Sequence, residues 1–157
     1  MTNYAKLPTW ADKDHVYAVV ETPRGSRAKL EFDPALGVFT LAKPLLAGLT
    51  YPYDWGFIPS TKAEDGDPLD VLIIHDAATY PGLVLQCKPI GVLEVVQSSK
   101  GKSERNDRVF VVPDRSPWCQ YHPGSPGKRW LGVEARVACS SCMSTITIEG
   151  MKGVISS

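Results

Sequence analysis

A chain of 157 residues, 43% hydrophobic and 22% charged, is long enough for one domain with its own core and has an ordinary globular composition. Lysine plus arginine equals aspartate plus glutamate at 17 each, which argues against binding to nucleic acid by bulk charge but leaves room for a local basic pocket around a small anion. No apolar run approaches the roughly 18 residues of a spanning helix, and Met1 to Asp14 is too polar for a signal peptide, so the expected setting is cytoplasmic, without a membrane partner.

The first two-thirds reads as β structure. His15 to Glu21 is β-branched and aromatic, and Thr22-Pro-Arg-Gly25 follows as a turn. Ala28 to Asp33 alternates, with Leu30 and Phe32 on one face and Lys29 and Glu31 on the other. Asp33 to Gly37 is a turn and Val38 to Leu41 a short return strand. Asp70 to His75 is an apolar run of strand length. Leu83 to Val96 is longer, and Pro89 and Gly91 within it predict an edge, bulge or bend. Val109 to Val112 closes the series. Short strands with frequent Gly and Pro punctuation predict a mainly β domain, closed or sandwiched. Beyond Ser116, prolines 117, 123 and 126 break any helix up to Lys128, and no clear period follows.

The four cysteines are Cys87, Cys119, Cys139 and Cys142. Only the last two form a C-x-x-C, and nothing completes a zinc site, so they read as unpaired thiols. His15, His75 and His122 read as structural or surface residues, and Trp10, Trp118 and Trp130 as packing residues.

The most informative stretch is Glu64-Asp-Gly-Asp-Pro-Leu-Asp70. Asp65, Asp67 and Asp70 repel one another unless a cation neutralises them or water screens them. Gly66 permits a close turn, Pro68 fixes the chain, and Asp70 opens an apolar strand, so one carboxylate sits on a rigid element. Hard oxygen donors of this kind suit Mg²⁺, Mn²⁺ or Ca²⁺. An EF-hand is excluded: counting from Asp65, the sixth position is Asp70 instead of Gly and the twelfth is Asp76 instead of Glu. Lys29, Lys43 and Arg108 are the cations expected to meet phosphoryl oxygens while metals on carboxylates activate water.

Asp65-Gly-Asp-Pro-Leu-Asp70-Val resembles the D-x-D-P-x-D signature of the family I soluble inorganic pyrophosphatases. Tyr51 to Pro59 resembles the family's Y-P-x-x-Y-G-[FY]-I segment. Val19 to Pro23, Lys29-Leu-Glu31, Pro81-Gly82 and Pro89 to Leu93 fall in family order, so the resemblance covers about residues 14 to 115. It implies an OB-like five-stranded β barrel with flanking helices, occupying residues 1–115 and followed by an atypical segment 116–157 of the same domain. It also implies hydrolysis of pyrophosphate to two phosphates with Mg²⁺ (or Mn²⁺) as cofactor, in a cytoplasmic homo-oligomer. By the same resemblance, Asp65 and Asp70 are metal ligands and Asp67 is the catalytic carboxylate that helps deprotonate the attacking water. Glu21 and Glu31 are supporting acids, and Lys29, Lys43, Trp55 and Arg108 bind substrate.

Several positions depart from the family pattern. Lys43 stands where many members have arginine, which keeps charge but loses bidentate geometry. Trp55 replaces a tyrosine that donates to phosphate; its indole N–H donates from elsewhere. Where the family places two more aspartates before its lysine-containing strand, only Glu104 and Asp107 are acidic here, and Asn106 has the parity of the usual aspartate. Asp107 is taken as the further metal ligand, on the condition of a bulge. After about Ser116 the resemblance is lost, Tyr121-His122 being a faint echo of the family's Tyr-Lys pair. A frameshifted, truncated or substituted C-terminus is the expectation. It leaves two alternatives: an impaired relative that binds Mg²⁺ and pyrophosphate, and an OB-type binding module, which the neutral charge and aspartate cluster disfavour.

Overall fold

The computed structural model of the chain describes residues 3–99 and 102–114. Nine strands follow a 3-10 turn at Tyr4–Lys6: β1 (Val16–Thr22), β2 (Ala28–Asp33), β3 (Val38–Pro44), β4 (Asp54–Phe57), β5 (Asp70–Ile73), β6 (Val84–Leu93), β7 (Val96–Ser99), β8 (Lys102–Arg105) and β9 (Arg108–Pro113). Five of them close a barrel in the order β1-β4-β5-β9-β6, while β2-β3 and β7-β8 are separate two-stranded sheets. The mainly β, barrel expectation therefore holds. The expected C-terminal segment, 116–157, lies outside the described residues.

Period-2 side-chain alternation fills the barrel. Val16, Ala18 and Val20 of β1, Val71 and Ile73 of β5, and Val109 and Val111 of β9 are fully buried in one cluster with Ile58 and Cys87. Closure depends on β6, which is long enough to pair β1 through Val84–Cys87 and β9 through Cys87–Leu93. Its register with β9 shifts between Pro89 and Gly91. The bulge bends the strand so that one segment serves two neighbours.

The strand β4 was not legible in sequence, because prolines 52 and 59 and Gly56 disguise a four-residue strand. Gly56 is what lets it pair with β1: a Cβ there would lie 1.8 Å from the Val19 carbonyl oxygen. The run expected to continue to Val96 ends at Leu93, and the stretch read as a turn before Arg108 forms the β7-β8 hairpin. Its base is tied by the Asn106 N–H donating to Val95 O at 2.8 Å.

Replacing Gly56 by alanine should force β1 and β4 apart and cost about 3 kcal/mol or more. Thermal or urea unfolding of Gly56→Ala checks this; a melting point within a degree of the parent would contradict it.

Candidate active site

Cross-strand register decides which side chains meet. Asp70 pairs with Phe57 on β4 and with Arg108 on β9, while Trp55 pairs with Leu72. Because Val71 and Val109 point into the core, Trp55, Asp70 and Arg108 share the opposite, outward face of the barrel. The β2-β3 hairpin forms the wall beside this face. The Thr22 hydroxyl donates to Leu30 O and accepts from Leu30 N–H, both at 2.9 Å, and the Phe32 ring stacks on Phe57 with centroids 6.2 Å apart.

The hairpin brings the cations in. Lys29 lies opposite Lys43 in the β2-β3 register, so the two ammonium groups flank one edge. Lys29 forms an ion pair with Glu31, as their shared face predicts. Burial pulls the Lys29 ammonium down, but the hydrogen bond and charge of Glu31, helped by Tyr51 and Asp70, outweigh it and leave the pKa raised. Lys43 is exposed.

Arg108 is held from three sides. Its Nη1 donates to Asn106 O at 2.6 Å, Nη2 lies 3.6 Å from Asp70 Oδ2, and the guanidinium carbon sits 5.2 Å from the centre of the Trp55 ring. Trp55 therefore shelves Arg108, and its indole favours the charged form of the Asp70 carboxylate. Burial raises the Asp70 pKa and Asp65 adds repulsion, while Arg108, Lys29 and Trp55 pull it down; the net shift is upward.

Glu21, near the end of β1, accepts the Phe32 N–H at 2.8 Å. Burial pushes its carboxyl from the ordinary 4.5 to about 7, against that hydrogen bond; Asp70 and Glu31 add repulsion and Lys29 subtracts from it. The loop carrying Asp65 and Asp67 is compact. The Asp67 N–H donates to Asp65 Oδ1 at 3.1 Å, Gly66 has φ 95°, and Thr61 closes the base by donating to Ile58 O and accepting from Leu69 N–H at 2.9 Å. Both acids are exposed at its tip.

Asp107, the further metal ligand expected from the sequence, sits at the base of the β7-β8 hairpin. It is buried, and its Oδ1 accepts the Val95 N–H at 3.3 Å, an anchor at the base of the β7-β8 hairpin. The Glu104 side chain lies outside the described residues. Tyr51 is the residue that sequence reading passed over. Its ring meets Trp55 edge-on at 5.9 Å, and burial raises its hydroxyl pKa in a field shared with Lys29, Glu31, Asp70 and Glu21. Its place in the Tyr51-to-Pro59 segment, four residues before Trp55, was the available signal.

Among the described residues, no three His, Cys, Asp or Glu side chains are drawn together into a finished cation cage. The donor chemistry nevertheless fits a hard divalent cation. Glu21 lies within electrostatic reach of Glu31 and Asp70, and Asp70 of Asp65; all are oxygen donors, and Glu21 and Asp70 are held above their ordinary pKa, a condition that a cation relieves.

The family model described as inorganic pyrophosphatase matches residues 18–123, which takes in the barrel and every candidate site residue. The chain belongs to the inorganic pyrophosphatase family. The inorganic pyrophosphatase of a Synechocystis species is 38% identical over 117 residues, 74% of this chain and 67% of that protein. Among solved structures, the inorganic pyrophosphatase of Thermus thermophilus superposes with a TM-score of 0.67 at 38% identity, covering 73% of this chain and 64% of that one. The Neisseria gonorrhoeae inorganic pyrophosphatase gives 0.65 at 32% identity, covering 74% and 65%. The chain thus spans about two-thirds of the length of these pyrophosphatases. No helix among the described residues is long and apolar enough to cross a membrane.

The raised carboxylates make the metal-free pyrophosphatase fold pH-sensitive. Glu21 holds its proton more tightly folded than unfolded, so its stabilising contribution is complete below 4.5 and is lost as pH rises through about 7. Metal-free protein should lose on the order of 2 kcal/mol across that window, and Glu21→Gln should flatten the profile. Melting temperatures in chelator from pH 4.5 to 8 check this.

Proposed function

We propose that this chain hydrolyses inorganic pyrophosphate to two phosphates in a reaction dependent on a divalent cation, Mg²⁺ or Mn²⁺. The observation that carries the reading is Asp70 on the outward face of the barrel, 3.6 Å from Arg108 and within electrostatic reach of Asp65, Glu21 and Lys29. Acids for cations beside cations for phosphate are what a phosphoanhydride with several negative charges requires.

Asp65 and Asp70 would hold the cation, and Asp107 would anchor the β7-β8 hairpin beside it. A bound cation would neutralise substrate charge and lower the pKa of water. Asp67, exposed at the loop tip, takes the proton as a water oxygen bonds to one phosphorus. The bridging P–O bond breaks in line, and its electron pair leaves with the second phosphate. Lys29, Lys43 and Arg108 receive the charge that develops there. Trp55 acts by keeping Arg108 and Asp70 in place, and Glu21 and Glu31 by setting the local field. No covalent enzyme intermediate is required. The reading involves no nucleic acid or membrane and expects a cytoplasmic homo-oligomer, whose mass light scattering reads directly.

Purified protein should release phosphate from pyrophosphate with Mg²⁺ and cease with chelator, and Asp70→Asn should lose roughly a hundredfold or more. A folded protein that binds Mg²⁺ and pyrophosphate without turnover would instead identify the impaired relative.

Asp107 gives a separate expectation. Because its bond to Val95 lies in the hairpin base, Asp107→Asn should lower the melting temperature while calorimetric Mg²⁺ affinity stays within about twofold. A loss of about tenfold or more in affinity would restore Asp107 to the ligand set.

A further inference from the structure

A buried polar cluster stands beside the site and is used by none of the steps above. Asp54 opens β4 with 2% of its side chain exposed, and His75, just beyond β5, has 7%. His75 Nε2 lies 2.5 Å from Asp54 Oδ2, and the Thr79 hydroxyl donates to the same oxygen at 2.8 Å. The other oxygen, Oδ1, accepts the backbone N–H of Arg24 at 2.6 Å. A carboxylate this buried is costly unless its oxygens are bonded, and here three donors supply the bonds.

The Arg24 amide belongs to the turn that leads from β1 to β2. Ser26 N–H donates to Pro23 O at 3.1 Å, and Gly25 takes φ 83°. This turn is strapped to Tyr51 by two backbone bonds: Gly25 N–H to Tyr51 O at 2.8 Å and Tyr51 N–H to Ser26 O at 3.1 Å. The Ser26 hydroxyl then bonds Ala28, the first residue of β2 and the neighbour of Lys29. Arg24 adds a second tie to the segment after β5, with Nη2 donating to Asp76 O at 3.3 Å.

We propose that Asp54, oriented by His75 and Thr79, is a positioning residue for the phosphate side of the site: it anchors the 23–26 turn and thereby places Tyr51 and Lys29. The inference rests on the pyrophosphatase reading. Asp54 lies on the opposite face of β4 from Trp55, so it acts through the turn and touches no reacting atom. Misplacement of binding groups by a fraction of an ångström is enough to weaken substrate capture, and the metal-holding loop at 64–68 is anchored separately through Thr61 and Leu69.

The test compares steady-state pyrophosphate hydrolysis with calorimetric Mg²⁺ affinity in the full chain. Asp54→Ala should raise KM for pyrophosphate by about 10- to 100-fold, with a smaller change in kcat and Mg²⁺ affinity within about twofold. Asp54→Asn keeps an acceptor for the Arg24 N–H and should recover most of the loss. A merely structural Asp54 would lower the melting temperature and leave KM of the folded enzyme unchanged, and that result overturns the inference. Should Asp54→Ala not fold, the His75→Ala/Thr79→Val double variant decides: a severalfold rise in KM supports the positioning role, and an unchanged KM overturns it. Wild-type protein that releases no phosphate removes the hydrolase reading and this inference together, whereas an active wild type with unaltered variants removes the inference alone.

Discussion

Burial of carboxylates that cannot swing out into water is the constraint on which the site depends. Glu21 comes from β1 and Asp70 from β5, two strands of the closed barrel, while Asp65 approaches from a loop pinned at its base. A flexible surface would let such groups swing into water. Strands fixed by ladder hydrogen bonds do not, so burial and mutual charge raise Glu21 and Asp70 together. The charges of Lys29 and Arg108 only partly offset this. A site held in that condition is biased towards any ligand that brings positive charge.

Barrel closure is what keeps the carboxylates fixed. The interior is filled by alternate residues of β1, β5 and β9, which leaves the other parity of the same strands to face the hairpin wall. Two backbone features allow this: Gly56 lets β4 approach β1, and the β6 bulge lets one strand reach both sides of the seam. Neither carries chemistry. Without them, the barrel that carries Trp55, Asp70 and Arg108 would not close.

Trp55 shows how a change of residue type shifts a role. A tyrosine at this point would present a hydroxyl, whereas the indole spreads under Arg108 and favours the charged form of Asp70. Tyr51 meets the same ring edge-on. Asp107 shows the complementary case. An acid adjacent in sequence to a site cation is turned into the hairpin base, because neighbouring residues around a strand start point to opposite sides.

Much of the molecule was legible in the chain itself. Alternating β-branched runs announced β1, β2, β3, β5 and β9, Pro89 and Gly91 announced the bulge, and the aspartate triplet announced cation chemistry, since both side-chain parity and charge repulsion are local properties. The four-residue strand β4 and the β7-β8 hairpin were not announced, because a few residues among Pro, Gly and Ser carry too little periodicity to be told from a turn. What only the tertiary structure decided was partnership. Whether Arg108 rests on Trp55, and whether Asp54 is a surface acid or the buried anchor of a turn, depend on register between strands distant in sequence. Register is set by closure of the whole barrel, and no local pattern contains it.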